Sequence, residues 1–285
     1  MYNWLWMTLV SGILLGFYDI CTKKALREIP LLNVLALYSI TNLVLVAFEF
    51  NNAINVDLSS IILIFAKSVI IFFAWLLSFI AIRGLPISII SPFGTLTPVF
   101  TILFGVLILN ERIIFLQALG IIIMLIVYYF IGKIGAVEIK GLFKNKYLYL
   151  MIASTFLSSI SAIIDKFALR TIDAGQMQFW FSLFVSLLYT LAFIFNRTRN
   201  GDRQPVKFNL FIILMSIFLV LSDRIYFSAV KIPSSEISVI MPVRRISIFV
   251  SAIIGGLIFK EKSLKKKFVC ACLLILGVAL VFAGN

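Results

Sequence analysis

Residues 91–112 read SPFGTLTPVFTILFGVLILNER, and residues 241–262 read MPVRRISIFVSAIIGGLIFKEK. Laid over one another, Pro92 and Pro242 each stand 19 positions before a glutamate, Glu111 or Glu261. Gly105 then matches Gly255, and Arg112 matches Lys262. Two further matches recur in the same order: TKKAL (22–26) with DKFAL (165–169), and FIAIRGLP (79–86) with FSAVKIP (227–233). The two stretches are therefore corresponding parts of an internal repeat.

The chain around them is built for lipid. Of its 285 residues 62% are hydrophobic and 13% charged, and its mean hydropathy is +1.12. A soluble domain is about half apolar and a quarter charged, so no soluble core absorbs this much apolar surface. A membrane-crossing helix needs about 20 apolar residues. Ten such spans are expected, at roughly 4–25, 31–50, 60–82, 87–109, 113–131, 147–169, 177–195, 209–230, 236–259 and 267–283. The first is expected to be a retained span, since no small-residue cleavage site follows it. The fold class that follows is an all-α polytopic membrane protein. The basic linker 136–146 separates a first five-helix repeat (1–135) from a second (147–285).

An odd number of spans per half has a geometric consequence. The second repeat enters the membrane from the face opposite to the first, so the repeats are inverted. That is the architecture of many secondary transporters, with the site near the midplane where the halves meet. The loops after spans 1, 3, 5, 7 and 9 hold about seventeen Lys and Arg, and the opposite loops about four. Excess positive charge marks the cytoplasmic side, which places both termini outside.

The net charge of +13 comes from those loops and not from a basic stripe on a soluble module, so no nucleic-acid partner is expected. The absence of histidine and the three scattered cysteines leave no metal cluster and no catalytic constellation. With no phosphate loop either, the chain is expected to be neither an enzyme nor a pump, and to need no cofactor.

The run PVFTILFGVLILNER from Pro98 to Arg112, with Pro thirteen residues before Glu-Arg and QALG (117–120) beyond, resembles the EamA-like drug/metabolite transporter superfamily. The layout of five plus five spans resembles it over the whole chain. The second half departs from the pattern, with Ile248 where the proline would stand and Pro242 six residues earlier. The resemblance implies transport of a small polar metabolite across an inner (plasma) membrane by a multi-pass protein. It also implies a cavity formed mainly by spans 1, 3, 4, 6, 8 and 9.

Charges buried in spans cost roughly 2.5–3.5 kcal/mol each on insertion scales, so each needs a partner or a task. In span 9, Arg244 shares a helical face with Ser247, Ser251 and Gly255, and Arg245 points about 100° away. In span 1, Thr8, Gly12, Gly16, Asp19 and Lys23 share a face, and Asp19 and Lys23 are spaced to pair. Span 6 aligns Ser154, Ser158, Ser161 and Asp165. Adjacent Asp223 and Arg224 in span 8 face different ways; Asp223, Asp19 and Asp165 are each candidate counter-ions for Arg244 or Arg245. Thr95 lies on a polar face of span 4. Lys67 and Lys166 are expected to snorkel to the surface. Glu111 and Glu261 are expected at helix ends, and Trp4, Trp6, Trp75, Trp180, Tyr128 and Tyr129 in interfacial belts.

The candidate substrate-binding residues are therefore Arg244, Arg245, Asp19, Lys23, Asp165, Asp223, Arg224 and Thr95. Four deep cations, Lys23, Arg224, Arg244 and Arg245, face three deep aspartates. That surplus favours a substrate carrying a carboxylate or phosphate, such as an amino acid, moved by alternating access by an exporter or exchanger. The alternative is a lipid-linked phosphate carrier or flippase. The expected partners are a small-molecule substrate and the bilayer, the protein acting as monomer or homodimer.

Overall fold

The computed structural model describes residues 3–84, 96–133, 145–200, 207–258 and 264–284. Among them the chain is helical throughout: α1 (Asn3–Glu28), α2 (Leu31–Val46), α3 (Phe50–Ala53), α4 (Leu58–Gly84), α5 (Leu96–Leu109) and α6 (Phe115–Lys133) in the first half. The second half holds α7 (Lys146–Ala168), α8 (Ala174–Asn200), α9 (Leu210–Lys231), α10 (Ile237–Arg244), α11 (Ile246–Ile258) and α12 (Leu264–Ala283). Six segments are long and apolar enough to cross a membrane: Asn3–Leu26, Leu31–Ala53, Leu58–Ser78, Lys146–Ala168, Ala174–Arg199 and Leu210–Lys231. The expected spans 4, 5 and 10 fall on the shorter apolar helices Leu96–Leu109, Phe115–Phe130 and Cys272–Ala283. Expected span 9 is not one helix; it divides at Arg245.

That division has a local cause. Pro242 has no N–H and its ring crowds the preceding turn. The backbone answers with tighter bonds, Arg245 N to Pro242 O at 3.2 Å and Ile248 N to Arg245 O at 2.9 Å. Tyr128 donates its hydroxyl to Pro242 O at 3.1 Å from α6, which holds the break against the other half.

Helix starts follow side-chain chemistry. Asn145 and Asn209 cap α7 and α9 by accepting from Tyr147 N and Ile212 N. Asp173 and Gln176 form a reciprocal capping box at α8, at 2.8 and 2.9 Å. Asp57 accepts from Ser59 Oγ and from Ser60 N at the start of α4. This exposed carboxylate is pulled down to about 2, first by the Ser59 hydroxyl and then by Ser60.

The halves interlock helix against helix. α1 packs along α9, and its repeat image α7 packs along α4. α2 meets α9 as α8 meets α4, and α1 meets α10 and α11 as α7 meets α5. The pairs α2–α8, α6–α12 and α5–α10 are their own images. Exchanging the halves maps these larger contacts onto one another, as an internal repeat demands. The pair α1–α9 runs antiparallel: Ser11 meets Ser222, Phe17 stacks on Phe218, and Asn209 donates to Glu28.

Close approach at the centre depends on glycine. A Cβ on Gly12 would lie 2.6 Å from Arg244 O, and one on Gly16 2.5 Å from the Val250 side chain. The small face of α1 is thus a seat for the broken helix. Outward faces keep large apolar residues such as Leu107, Leu191 and Ile275 exposed, as lipid contact requires. Trp6 and Tyr129 are exposed in the expected manner, whereas Trp4 and Tyr128 are buried core residues. Trp75 stacks on Tyr189 at 6.2 Å, and Trp180 donates to Ala53 O.

Candidate functional site

Four of the intramembrane charges meet in one connected chain. Arg244, at the last turn of α10, donates to Asp223 Oδ1 on α9 at 2.5 Å. Its Nε donates to Ser11 Oγ at 3.0 Å and its Nη2 to Ser222 Oγ at 3.2 Å. The guanidinium lies 4.1 Å from the Tyr226 ring centroid, and the Tyr226 hydroxyl donates to Asp165 Oδ2 at 3.1 Å. Asp165 pairs in turn with Lys67 at 2.5 Å. Four helices, α4, α7, α9 and α10, are joined through Lys67, Asp165, Tyr226, Arg244 and Asp223, with Ser11 adding α1.

Lys67 corrects a sequence expectation. It does not snorkel: it is 3% exposed, with its amine 3.9 Å from the Phe181 ring and 4.6 Å from that of Phe227. Its place at mid-helix on α4 leaves it too far from either end to reach water. Lys166 does not snorkel either. Its buried amine donates to the carbonyls of Val230, Ile232 and Ser235 and to Ser235 Oγ, at 2.6–3.2 Å. A cation on the orphan carbonyls at a helix C-terminus is favourable, and Lys166 closes the end of α9 in this way.

Glu111 does the complementary task. Asn110 takes φ 55°, a left-handed conformation that asparagine tolerates better than most residues, and so turns the chain after α5. Glu111 N then donates to Gly105 O, and the carboxylate reaches the start of α10. It accepts from Ile237 N at 2.7 Å, Ser238 N at 2.9 Å and the Ser238 hydroxyl. An anion at a helix N-terminus satisfies orphan N–H groups and the helix dipole together. The turn between α9 and α10 is therefore clamped by Lys166 on one side and Glu111 on the other. Glu261 lies outside the described residues.

Arg245, next in sequence to Arg244, differs in kind. Among the described residues no hydrogen bond or ion pair holds its side chain, although it sits at the break between α10 and α11. The charges acting on it are Asp19 of α1, Arg244 and the Tyr128 phenol. Asp19 in turn lies in the field of Arg245 and Arg244, and among the described residues no ion pair joins it to either arginine; Lys23 makes contacts of its own. Asp19 and Arg245 thus act on each other's charge between α1 and the break that separates α10 from α11. Arg224 points away from the chain, as the spacing requires, and pairs with Glu49 near Asn52. Thr95 lies outside the described residues.

Arg224 belongs instead to a vestibule of about 820 Å³ at the end of the bundle, shared with Lys166, Arg170, Asp173 and Lys231. Four cations and one carboxylate line it, which focuses positive potential at its mouth. Ser11, Lys67, Glu49 and Tyr226 are the contributors that spacing alone did not single out as site residues. For Tyr226 a signal existed, since it shares a face with Asp223.

The interlocked repeats and the buried polar chain define a polytopic, all-helical membrane protein of two homologous halves. The profile of the EamA-like transporter family matches residues 2–133 and again residues 145–283, and the chain belongs to that family. No curated protein matches it significantly. One crystal structure shares the fold at a TM-score of 0.76 with 12% identity, over 98% of this chain and 96% of that one; at that identity the likeness is one of fold.

Proposed function

We propose that the protein is a secondary transporter, an exporter or exchanger, of a small polar metabolite bearing a carboxylate or phosphate, with an amino acid as the type case. Ten spans in two inverted halves, 1–135 and 147–285 around the linker 136–146, alternate access across the inner membrane. The observation that carries this reading is the open pair Arg245 and Asp19. Among the described residues no hydrogen bond or ion pair holds the half-buried Arg245 guanidinium, and a bidentate carboxylate or phosphate is its best complement. Asp19 then faces the ammonium of the same substrate. Arg244, held by Asp223, Ser11 and Ser222, positions the broken helix that carries Arg245. The cationic vestibule steers an anionic group inward, and the antiparallel run of α1 against α9 accords with inverted halves.

The test is counterflow in liposomes with a panel of amino acids, organic acids, sugar phosphates and hydrophobic cations. An amino acid or other anion is the expected substrate, and Arg245→Gln is expected to weaken it by about 10- to 100-fold, the worth of one charged hydrogen-bonded contact. Wild-type transport by Arg245→Gln, or a preference for hydrophobic cations, refutes the assignment.

A further inference from the structure

A second enclosed cavity lies between α2, α4, α8 and α9, lined by Tyr38, Ser39, Asn42, Trp75, Gln178 and Asp223 among others. It has room of about 20 Å³, enough for one water-sized occupant, which needs roughly 10–15 Å³. Two of its polar atoms, Tyr38 Oη and Asn42 Oδ1, are buried without a hydrogen-bond partner, in residues only 1% and 8% exposed. Two other lining groups donate elsewhere. Ser39 donates to Ala36 O at 3.0 Å, and Gln178 Nε2 donates to Val220 O at 2.6 Å. What remains is weighted towards oxygen acceptors: the lone pairs of Ser39, the carbonyls of Asn42 and Gln178, and the carboxylate of Asp223.

We infer that this cavity is a binding site for a dehydrated monovalent cation of sodium size. Hard cations take oxygen ligands, and this site supplies neutral oxygens around a single carboxylate. The position of Asp223 gives the site a consequence. Its Oδ1 already holds Arg244, so a cation on the same carboxylate competes with that arginine. A bound cation also adds one positive charge to the deep site, to be met by a substrate anion. This last step rests on the anion reading above; cation binding itself does not.

The experiment is therefore done without substrate. Purified protein is titrated with sodium chloride against choline chloride at constant ionic strength, and with lithium, potassium and ammonium chloride in parallel arms, following thermal stability. A saturable rise with sodium and none with choline is expected. Tyr38→Phe removes one oxygen and no ring volume, and together with Asn42→Leu it is expected to weaken sodium at least tenfold. Equal behaviour in sodium and choline overturns the site, as does unchanged sodium affinity in both variants, and a response to ammonium alone overturns the alkali-ion assignment. None of these results bears on Arg245 and Asp19, which counterflow tests separately.

Discussion

Replacing Lys67 by Met removes one partner of an ion pair whose side chains are 3% and 5% exposed and 2.5 Å apart. Asp165 is then left in the bundle with only the Tyr226 hydroxyl as donor. Breaking a buried pair from one side costs about 3–5 kcal/mol, because the surviving charge loses its compensation, whereas replacing both partners by apolar groups is often close to neutral. At roughly 2–4 °C per kcal/mol for a chain of this size class, Lys67→Met or Asp165→Leu alone is expected to lower the melting temperature by about 6–20 °C. The double variant is expected to recover most of that loss, since Phe181, Phe227 and the neighbouring helices offer an apolar surround. The assay is thermal unfolding of purified protein in detergent, run as a double-mutant cycle. Singles within about 1 kcal/mol of wild type, or a double variant equal to the sum of the singles, would show that the pair is not the electrostatic bolt between α4 and α7.

Glu111→Ala strips the cap from α10, a loss of about 2 kcal/mol on the scale of charged N-terminal caps; thermal melts should show Glu111→Gln recovering part of it. Gly12→Ala places a methyl 2.6 Å from the Arg244 carbonyl, where backbone cannot yield. A cost of about 1–3 kcal/mol is expected, with transport in liposomes falling further than stability because Arg245 moves with that backbone. Asp57, held near 2 by Ser59 and Ser60, has a folded value below its unfolded one, so its contribution is present above about pH 4 and is lost as pH falls towards 2. The melting-temperature gap between wild type and Asp57→Asn should therefore close across that window; a gap independent of pH contradicts the capping role.

The repeat was legible in sequence because it is carried by residues with backbone tasks. Pro242 breaks the helix, Gly105 admits a close neighbour, and Glu111 closes a helix end in the other half. Such tasks tolerate few residue types, so they leave a pattern that survives when the surrounding apolar residues have drifted. The partnerships of the charges were not legible in the same way. Lys67 reads like any lysine within ten residues of a helix end, and only the packing of α4 on α7 sets it opposite Asp165. Lys166 likewise sits one turn from the end of α7, yet the nearest unsatisfied acceptors are the carbonyls ending α9, and these outbid the water at the surface. Helical spacing fixes which way a side chain points on its own helix, and tertiary placement alone fixes what it meets there.

Arg244 and Arg245 show where that limit falls. Sequence singles out the pair together, because the first half uses Gly94 and Thr95 at the matching positions. It sets them on different faces, Arg244 on a polar stripe with Ser247 and Ser251. In the structure the polar surroundings that mark Arg244 supply it with Asp223, Ser11, Ser222 and the Tyr226 ring. An arginine so thoroughly satisfied has little left to offer a substrate. Arg245 stands where the backbone is broken, and among the described residues no hydrogen bond or ion pair holds its side chain. On the proposed reading the better-partnered residue is the scaffold, and the one beside it is where a ligand has something to gain.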